Sequence, residues 1–115
     1  MKTDAPGTEK VYGTWKGFYG TENEINAITI KINPESQAEI FCDFNDACLI
    51  TAGKYKLVGD TAIVISCLLT EKKSSEVILL GNLNRTSSFI DGEWNSDGKE
   101  SGCFYLQKQP ARVNY

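Results

Sequence analysis

Apolar and polar positions alternate with a period of two along most of the chain, the repeat of a strand with one buried face. Val11, Gly13, Trp15, Gly17 and Tyr19 share one parity, which predicts a first strand over 11–20 with Trp15 pointing inward. Ile28, Ile30 and Ile32 predict a second over 25–32, and Ala38, Ile40, Cys42 and Phe44 a third over 37–44. A fourth covers 47–57, where Gly53 is expected to mark a bulge or bend. The fifth, 61–70, is apolar on both faces: Ile63, Ile65, Cys67 and Leu69 on one, Ala62, Val64 and Leu68 on the other. Such a strand needs a cover on its outer side, and a partner subunit would supply one. Segments 76–84, 88–94 and 101–108 complete the series, with Phe104 and Leu106 on one face of the last.

The breaks between these runs carry turn chemistry. Asn33-Pro34-Glu35-Ser36 joins a residue that favours turns to one that cannot donate to a ladder, and Gly59-Asp60 and Asn95-Ser96-Asp97-Gly98-Lys99 place glycines at corners. Thr21–Glu24, Asn45-Asp46, Glu71–Ser75 and Arg85–Ser87 read as the remaining turns. Helical periodicity does not persist over three turns in any window. Short connections make sequential strands antiparallel neighbours, and eight of them close most simply into an up-and-down β-barrel without free edges. The expected class is therefore all-β, an eight-stranded antiparallel barrel over 11–109, with a polar leader at 1–10 and a tail at 110–115. A β-sandwich is the structural alternative.

Composition narrows the function classes. The 115 residues fit one domain with a modest core of its own. A net charge of −3 argues against nucleic acid or anionic membrane as a general partner. No apolar run is long enough to span a bilayer, and the first seven residues have no apolar stretch of the kind a signal peptide carries. A cytoplasmic location is expected, with an exported form whose signal peptide has been removed as the alternative. The chain has no histidine, which removes the usual general base and the commonest metal ligand. No cofactor is implied.

Gly13-Thr14-Trp15 near the start of the first strand resembles the Gly-x-Trp motif of the calycin superfamily, which includes lipocalins, fatty-acid-binding proteins and avidins. The later rhythm is similar as well: Gly53-Lys54-Tyr55 before Gly59-Asp60, then Ile90-Asp91-Gly92-Glu93-Trp94, then Gly102-Cys103-Phe104-Tyr105-Leu106. The chain looks most like small lipocalin-like bacterial barrels of uncharacterised role. The resemblance implies a barrel whose strand-one Trp plugs one end, under a late basic residue for which Arg112 is the nearest candidate after the eighth strand. It also implies binding of a small apolar molecule. Trp94 is the only other tryptophan, so the later Trp residues with which avidins contact biotin are not matched.

Strand parity then supplies candidate side chains. The inward set is Trp15, Tyr19, Ile28, Ile30, Ile40, Tyr55, Ile65, Ile90, Trp94 and Phe104. Of these, Tyr19, Ile30, Ile40, Tyr55, Ile65, Trp94 and Phe104 are the expected ligand wall. Trp15, Gly13 and Gly17 are structural. Tyr19, Tyr55 and Ser66 are the hydroxyls that could face a ligand. If Ile90 and Trp94 point in, Asp91 and Glu93 point out.

The carboxylates Asp43, Asp46, Asp60, Asp91, Glu93 and Asp97 sit mostly at turns and read as solvated. Cys42 and Cys48 flank a turn and could pair only if the register sets them opposite each other. Without a secretory context they are expected as reduced, buried thiols, together with Cys67 and Cys103. Scattered spacing argues against a zinc site. Asn84-Arg85-Thr86 matches a glycosylation sequon, which carries meaning only in a secreted eukaryotic protein.

The leading expectation is a non-catalytic barrel that binds a small, largely apolar molecule. Its alternative is a structural or interaction barrel with a filled interior that acts through homodimer or other protein contacts. A third reading, an enzyme using carboxylate or Tyr acid/base chemistry, needs two such groups converging in one cavity.

Overall fold

The computed structural model describes residues 8–20, 24–44, 47–69, 75–96 and 100–110. A short 3-10 turn, Thr8–Val11, precedes eight strands: β1 (Gly13–Gly20), β2 (Ile25–Asn33), β3 (Gln37–Phe44), β4 (Ala47–Val58), β5 (Ala62–Leu69), β6 (Ser75–Leu83), β7 (Phe89–Ser96) and β8 (Glu100–Lys108). They form a closed barrel in sequential order. Every neighbouring pair is antiparallel, and β8 returns to β1 with Trp15 opposite Lys108 and Tyr19 opposite Phe104. The barrel class read from the periodicity is the one observed, and the sandwich is excluded. Among the described residues no helix is long and apolar enough to cross a membrane.

Every strand but β3 differs from its expected bounds by one or two residues at an end, and β7 runs on through Asn95 and Ser96 into the expected hairpin loop. Thr8, Glu9 and Lys10, expected in the leader, belong to the 3-10 turn, and β1 starts at Gly13 rather than Val11. β4 runs through Gly53 with continuous pairing, Ala38 and Cys67 lying opposite it on either side. Gly53 marks a close approach instead of a bulge: a Cβ there would lie 2.5 Å from the Ser66 carbonyl oxygen and 2.8 Å from Ile40 Cδ1. The expected turns at 21–23, 45–46, 70–74 and 97–99, the leader before Thr8, Arg112 and the tail from 111 lie outside the described residues.

The core is the inward-parity set. Trp15, Ile30, Ile32, Ile63, Ile65, Ile90, Leu106 and Val11 have essentially no exposed surface. β-Branched Ile dominates this list because a branched side chain stands well on a pleated, half-buried strand and fills the taper of a small barrel. Trp15 provides the largest single contribution, and truncating a buried Trp to Ala costs about 3–5 kcal/mol.

One end of the barrel is laced shut. The Trp15 Nε1–H donates to the Val11 carbonyl at 2.9 Å, which fixes the 3-10 turn under the indole. Lys108 Nζ donates to the Lys10 carbonyl at 2.7 Å and sits 5.7 Å from the Trp15 ring centroid. The geometry is that of an ammonium held over an aromatic face. Lys10 Nζ in turn donates to the Asp60 carbonyl at 2.7 Å, joining the N-terminal turn to the β4–β5 corner. Tyr55 Oη donates to the Asn33 carbonyl at 2.9 Å, and the Tyr55 N–H donates to the Ser36 carbonyl.

In the β6–β7 corner, Asn84 Oδ1 accepts from the backbone N–H of Ser88 (2.8 Å) and of Phe89 (2.9 Å). Its Nδ2 donates to Thr86 Oγ1 and Ser88 Oγ. The Asn of the expected sequon thus has all of its amide chemistry engaged in shaping its own turn.

Candidate ligand site at the Tyr19 end of the barrel

Connections 34–36, 59–61 and 84–88 belong to the laced end, together with the 3-10 turn and the end of β8. The opposite end is where β1 finishes and β2 begins, where β7 finishes and β8 begins. On β1, β2, β5, β7 and β8 the inward row is less buried toward it, whereas on β4 and β6 the laced end also has less buried positions, Leu57 half-buried and Leu83 at 6% against Leu79 at 3%. From the deep to the outer position, the change is Ile30 0% to Ile28 6%, Ile65 0% to Cys67 6%, Ile90 0% to Trp94 7% and Leu106 0% to Phe104 4%. On β1 the same step leads from buried Trp15 to half-buried Tyr19. Asn26 of β2 and Ser96 of β7 continue the rows as half-buried positions. Thr51 and Val77 are half-buried at the same ends of β4 and β6.

Among the described residues, two aromatics meet at this end. Tyr19 and Trp94 meet edge to face, with centroids 5.7 Å apart and planes at 89°. Trp94 Nε1–H donates to the Gly20 carbonyl at 2.9 Å, which ties the indole across to the end of β1. Gly102 makes room for it: a Cβ at 102 would lie 2.8 Å from Trp94 Nε1 and would run into the Gly20 carbonyl. Register puts Trp94 opposite Gly102 on one side and Leu79 on the other, so the indole lies against a gap in the next strand.

The expected wall separates into two groups. Tyr19 and Trp94 line the mouth, with Phe104 opposite Tyr19 and just below it. Ile30, Ile40 and Ile65 lie in the packed interior. Tyr55 is buried there too, and its hydroxyl is held by Asn33 at the laced end. Ser66 requires correction: it is opposite Lys54 and Ile78 on the outer parity of β5, so its hydroxyl faces away from the interior. Asp91 and Glu93 are exposed on the outer face, as parity predicts.

Trp15 has no exposed surface. The late basic residue over it is Lys108 on β8. Lys108 follows Leu106 by two and therefore shares its parity, the signal that could have found it.

The thiols also divide. Cys67 is buried, but Cys103 is exposed, because Phe104 and Leu106 take the inward parity of β8 and leave Cys103 on the other face. Register places Cys42 opposite Leu49 and Cys48 opposite Asp43, so the two are not facing partners in the β3–β4 ladder. Their side chains lie outside the described set. Asn26, Thr51, Ser96 and Val77 are mouth positions that sequence reading passed over. Each sits two residues from a recognised inward residue.

The outer surface has a character of its own. Phe18 and Tyr105 pair across β1 and β8 with ring centroids 6.0 Å apart, both nearly half exposed. Next to them, Asn82, Asn84, Phe89, Asp91 and Tyr105 border a shallow recess of about 340 Å³ beside the β6–β7 corner. On β5, Ala62 and Val64 are half-buried on the outer side, next to exposed Leu80 of β6. Comparison with known proteins found no protein-family model that matches the chain and no curated protein that matches it significantly.

Proposed function

We propose that this barrel binds a small, largely apolar molecule at its open end, without chemical turnover. The observation that carries the reading is the asymmetry of the inward rows. They are hydrogen-bonded around fully buried Trp15 at one end, and on β1, β2, β5, β7 and β8 they are less buried toward the other, where Tyr19 and Trp94 meet. Apolar walls with a few polar groups are the usual form of a small-molecule site, and an eight-stranded barrel is wide enough for one small ligand. A relationship to the calycins is part of the same proposal. The Gly-x-Trp start, the 3-10 turn beneath the indole and the Lys108 ammonium over it support that relationship. Fold likeness by itself would not assign a ligand.

The test is titration of the full chain with neutral, environment-sensitive hydrophobic dyes, read by dye emission and by Trp94 emission in a Trp15→Phe background. Saturable binding that weakens in Tyr19→Ala is expected. Absence of binding at high micromolar dye by a folded protein overturns the reading.

A second reading has its own observation. The exposed Phe18, Tyr105, Phe89 and Leu80 on the outer face favour contacts between copies of the chain. The sequence pointed to the outer side of β5, whereas the most exposed aromatic surface lies on β1, β7 and β8. Light scattering that shows only monomer at high concentration would remove this reading.

A further inference from the structure

We propose that the recess beside the β6–β7 corner is a docking point for an arginine side chain of a partner polypeptide. It lies on the outer face and does not depend on the ligand reading for the Tyr19 end.

Register and parity build the site. Asn82, Asp91, Tyr105 and Phe18 stand in one cross-strand row on the outer parity of β6, β7, β8 and β1. Phe89 precedes Asp91 by two on β7 and shares its face, one row nearer the corner. Asn82, Asn84, Phe89, Asp91 and Tyr105 border the recess of about 340 Å³. Phe89 lies opposite Gln107, and Tyr105 opposite Asp91, so the two rings belong to diagonal neighbours. Diagonal positions in an antiparallel pair are about 7–8 Å apart. That is roughly twice a van der Waals contact of about 3.5–4.0 Å, which leaves room for a flat group between the side chains. Directly opposed rings close such a gap, as Phe18 and Tyr105 do with centroids 6.0 Å apart. Phe89 and Tyr105 remain accessible, at 42% and 44% exposure.

The border chemistry selects the occupant. Asp91 brings a carboxylate to the same recess as the two rings. Aromatic faces attract cations, and the carboxylate attracts the same charge. A guanidinium serves both at once: its plane stacks on a ring while its N–H edge meets the carboxylate in bidentate fashion. An ammonium has no plane to stack. Asn84 contributes rigidity, because its Oδ1 accepts from the Phe89 backbone N–H at 2.9 Å and so fixes the base of that side chain. Lys16, which faces Gln107 from β1, and Arg85 in the corner are like charges on this side. Repulsion between exposed charges is weak and screened by salt, whereas stacking is not.

Size and surroundings favour a polypeptide over a free small cation. The volume is at the low end for small-molecule pockets, about 300–1,000 Å³, and the recess is shallow. Exposed Phe18 and Leu80 continue the apolar surface on β1 and β6. A chain that seats one arginine in the recess also covers them, in the pattern of an Arg anchor set in an aromatic surround.

The experiment titrates a blocked leucine–arginine–leucine tripeptide into the isotope-labelled full chain at neutral pH and follows backbone amide signals by NMR. Matched peptides carry citrulline or lysine in place of arginine. The arginine peptide is expected to shift Phe89, Asp91 and Tyr105 saturably at millimolar concentration. Citrulline, equal in shape but uncharged, should bind about tenfold more weakly, and lysine should fall between them. Asp91→Asn should remove most of the preference for arginine over citrulline, and Phe89→Ala should weaken the arginine peptide about threefold. Signals away from the recess report that each variant is folded.

Equal binding of the arginine and citrulline peptides overturns the inference. So do shifts confined to another part of the barrel, or an Asp91→Asn protein that keeps the full arginine preference. No binding by the full chain overturns it as well, and binding that appears only in Arg112→Gln assigns the recess to the chain's own tail. Concentration-dependent shifts of the same three signals without peptide assign it to a second copy and overturn it too. Dye binding at the Tyr19 end is read separately and is untouched by any of these results.

Discussion

The two ends of this barrel are built from the same strands and the same parity, yet they are held together differently. At the Trp15 end, backbone carbonyls of Lys10, Val11, Asn33 and Asp60 each receive a side-chain donor. These bonds tie the 3-10 turn, β1, β8 and two corners into one cap around buried Trp15, Ile32 and Ile63. At the Tyr19 end, the Trp94 indole N–H donates to the Gly20 carbonyl across the wall, and Tyr19, Asn26, Thr51, Val77 and Ser96 are half-buried. The contrast shows how a barrel divides its work. A dense polar network around a large aromatic plug holds one end, and the proposed site lies at the other.

The largest effect should come from the plug. Trp15→Ala removes a fully buried indole and its bond to Val11, and a loss of about 3–5 kcal/mol in denaturant unfolding is expected. Tyr19→Ala at the other end should cost only about 1 kcal/mol, because the side chain is half-buried, while weakening binding of the neutral dye strongly. Equal destabilisation by the two changes would break the comparison.

Gly102→Ala comes next. Its methyl would press on the Gly20 carbonyl and on Trp94, and overpacking of this kind costs about 1–3 kcal/mol. Dye affinity should fall with it, since Trp94 is the group displaced, and dye titration alongside urea unfolding reads both.

Lys108→Met keeps length but removes the ammonium. It leaves the Lys10 carbonyl without this donor and the Trp15 face without its cation, for an expected loss of about 1–2 kcal/mol. Lys108→Arg should retain most of that stability, and neither variant should alter dye affinity. A change in affinity would mean that the ends communicate.

The smallest effect is a gain. Ser36 adopts φ 65° in the β2–β3 corner, a left-handed conformation that L-residues pay for with Cβ crowding and glycine does not. Ser36→Gly should raise the unfolding midpoint slightly, by about 0.5 kcal/mol once the added freedom of the unfolded chain is subtracted. It should leave the mouth untouched.

Much of this was legible from alternation alone. A period of two in which Ile28, Ile30 and Ile32, or Ile63, Ile65 and Cys67, share a parity states which face is buried before any contact is known, because strand geometry sends alternate side chains to opposite sides. Parity also held for Asp91 and Glu93. The misreadings came from treating parity loosely. Cys103 and Ser66 each sit one residue from a core position, and a one-residue step is a change of face. Other features were beyond parity. That Tyr55 donates to Asn33, 22 positions away, depends on where the β2–β3 corner lies in space. The division of the inward set into plug and mouth depends on which end the 3-10 turn closes.

The sequence by itself therefore determined the strand count, the antiparallel order, the buried face and Trp15 as the core of one end, since these follow from local geometry and short connections. The tertiary structure decided that Lys108 covers that Trp, that Trp94 bonds to Gly20 across 74 positions of chain, and that Tyr19 and Trp94 meet at the other end. Those contacts join residues that are far apart along the chain. Only closure of β8 onto β1 brings them together, so no local pattern in the chain encodes them.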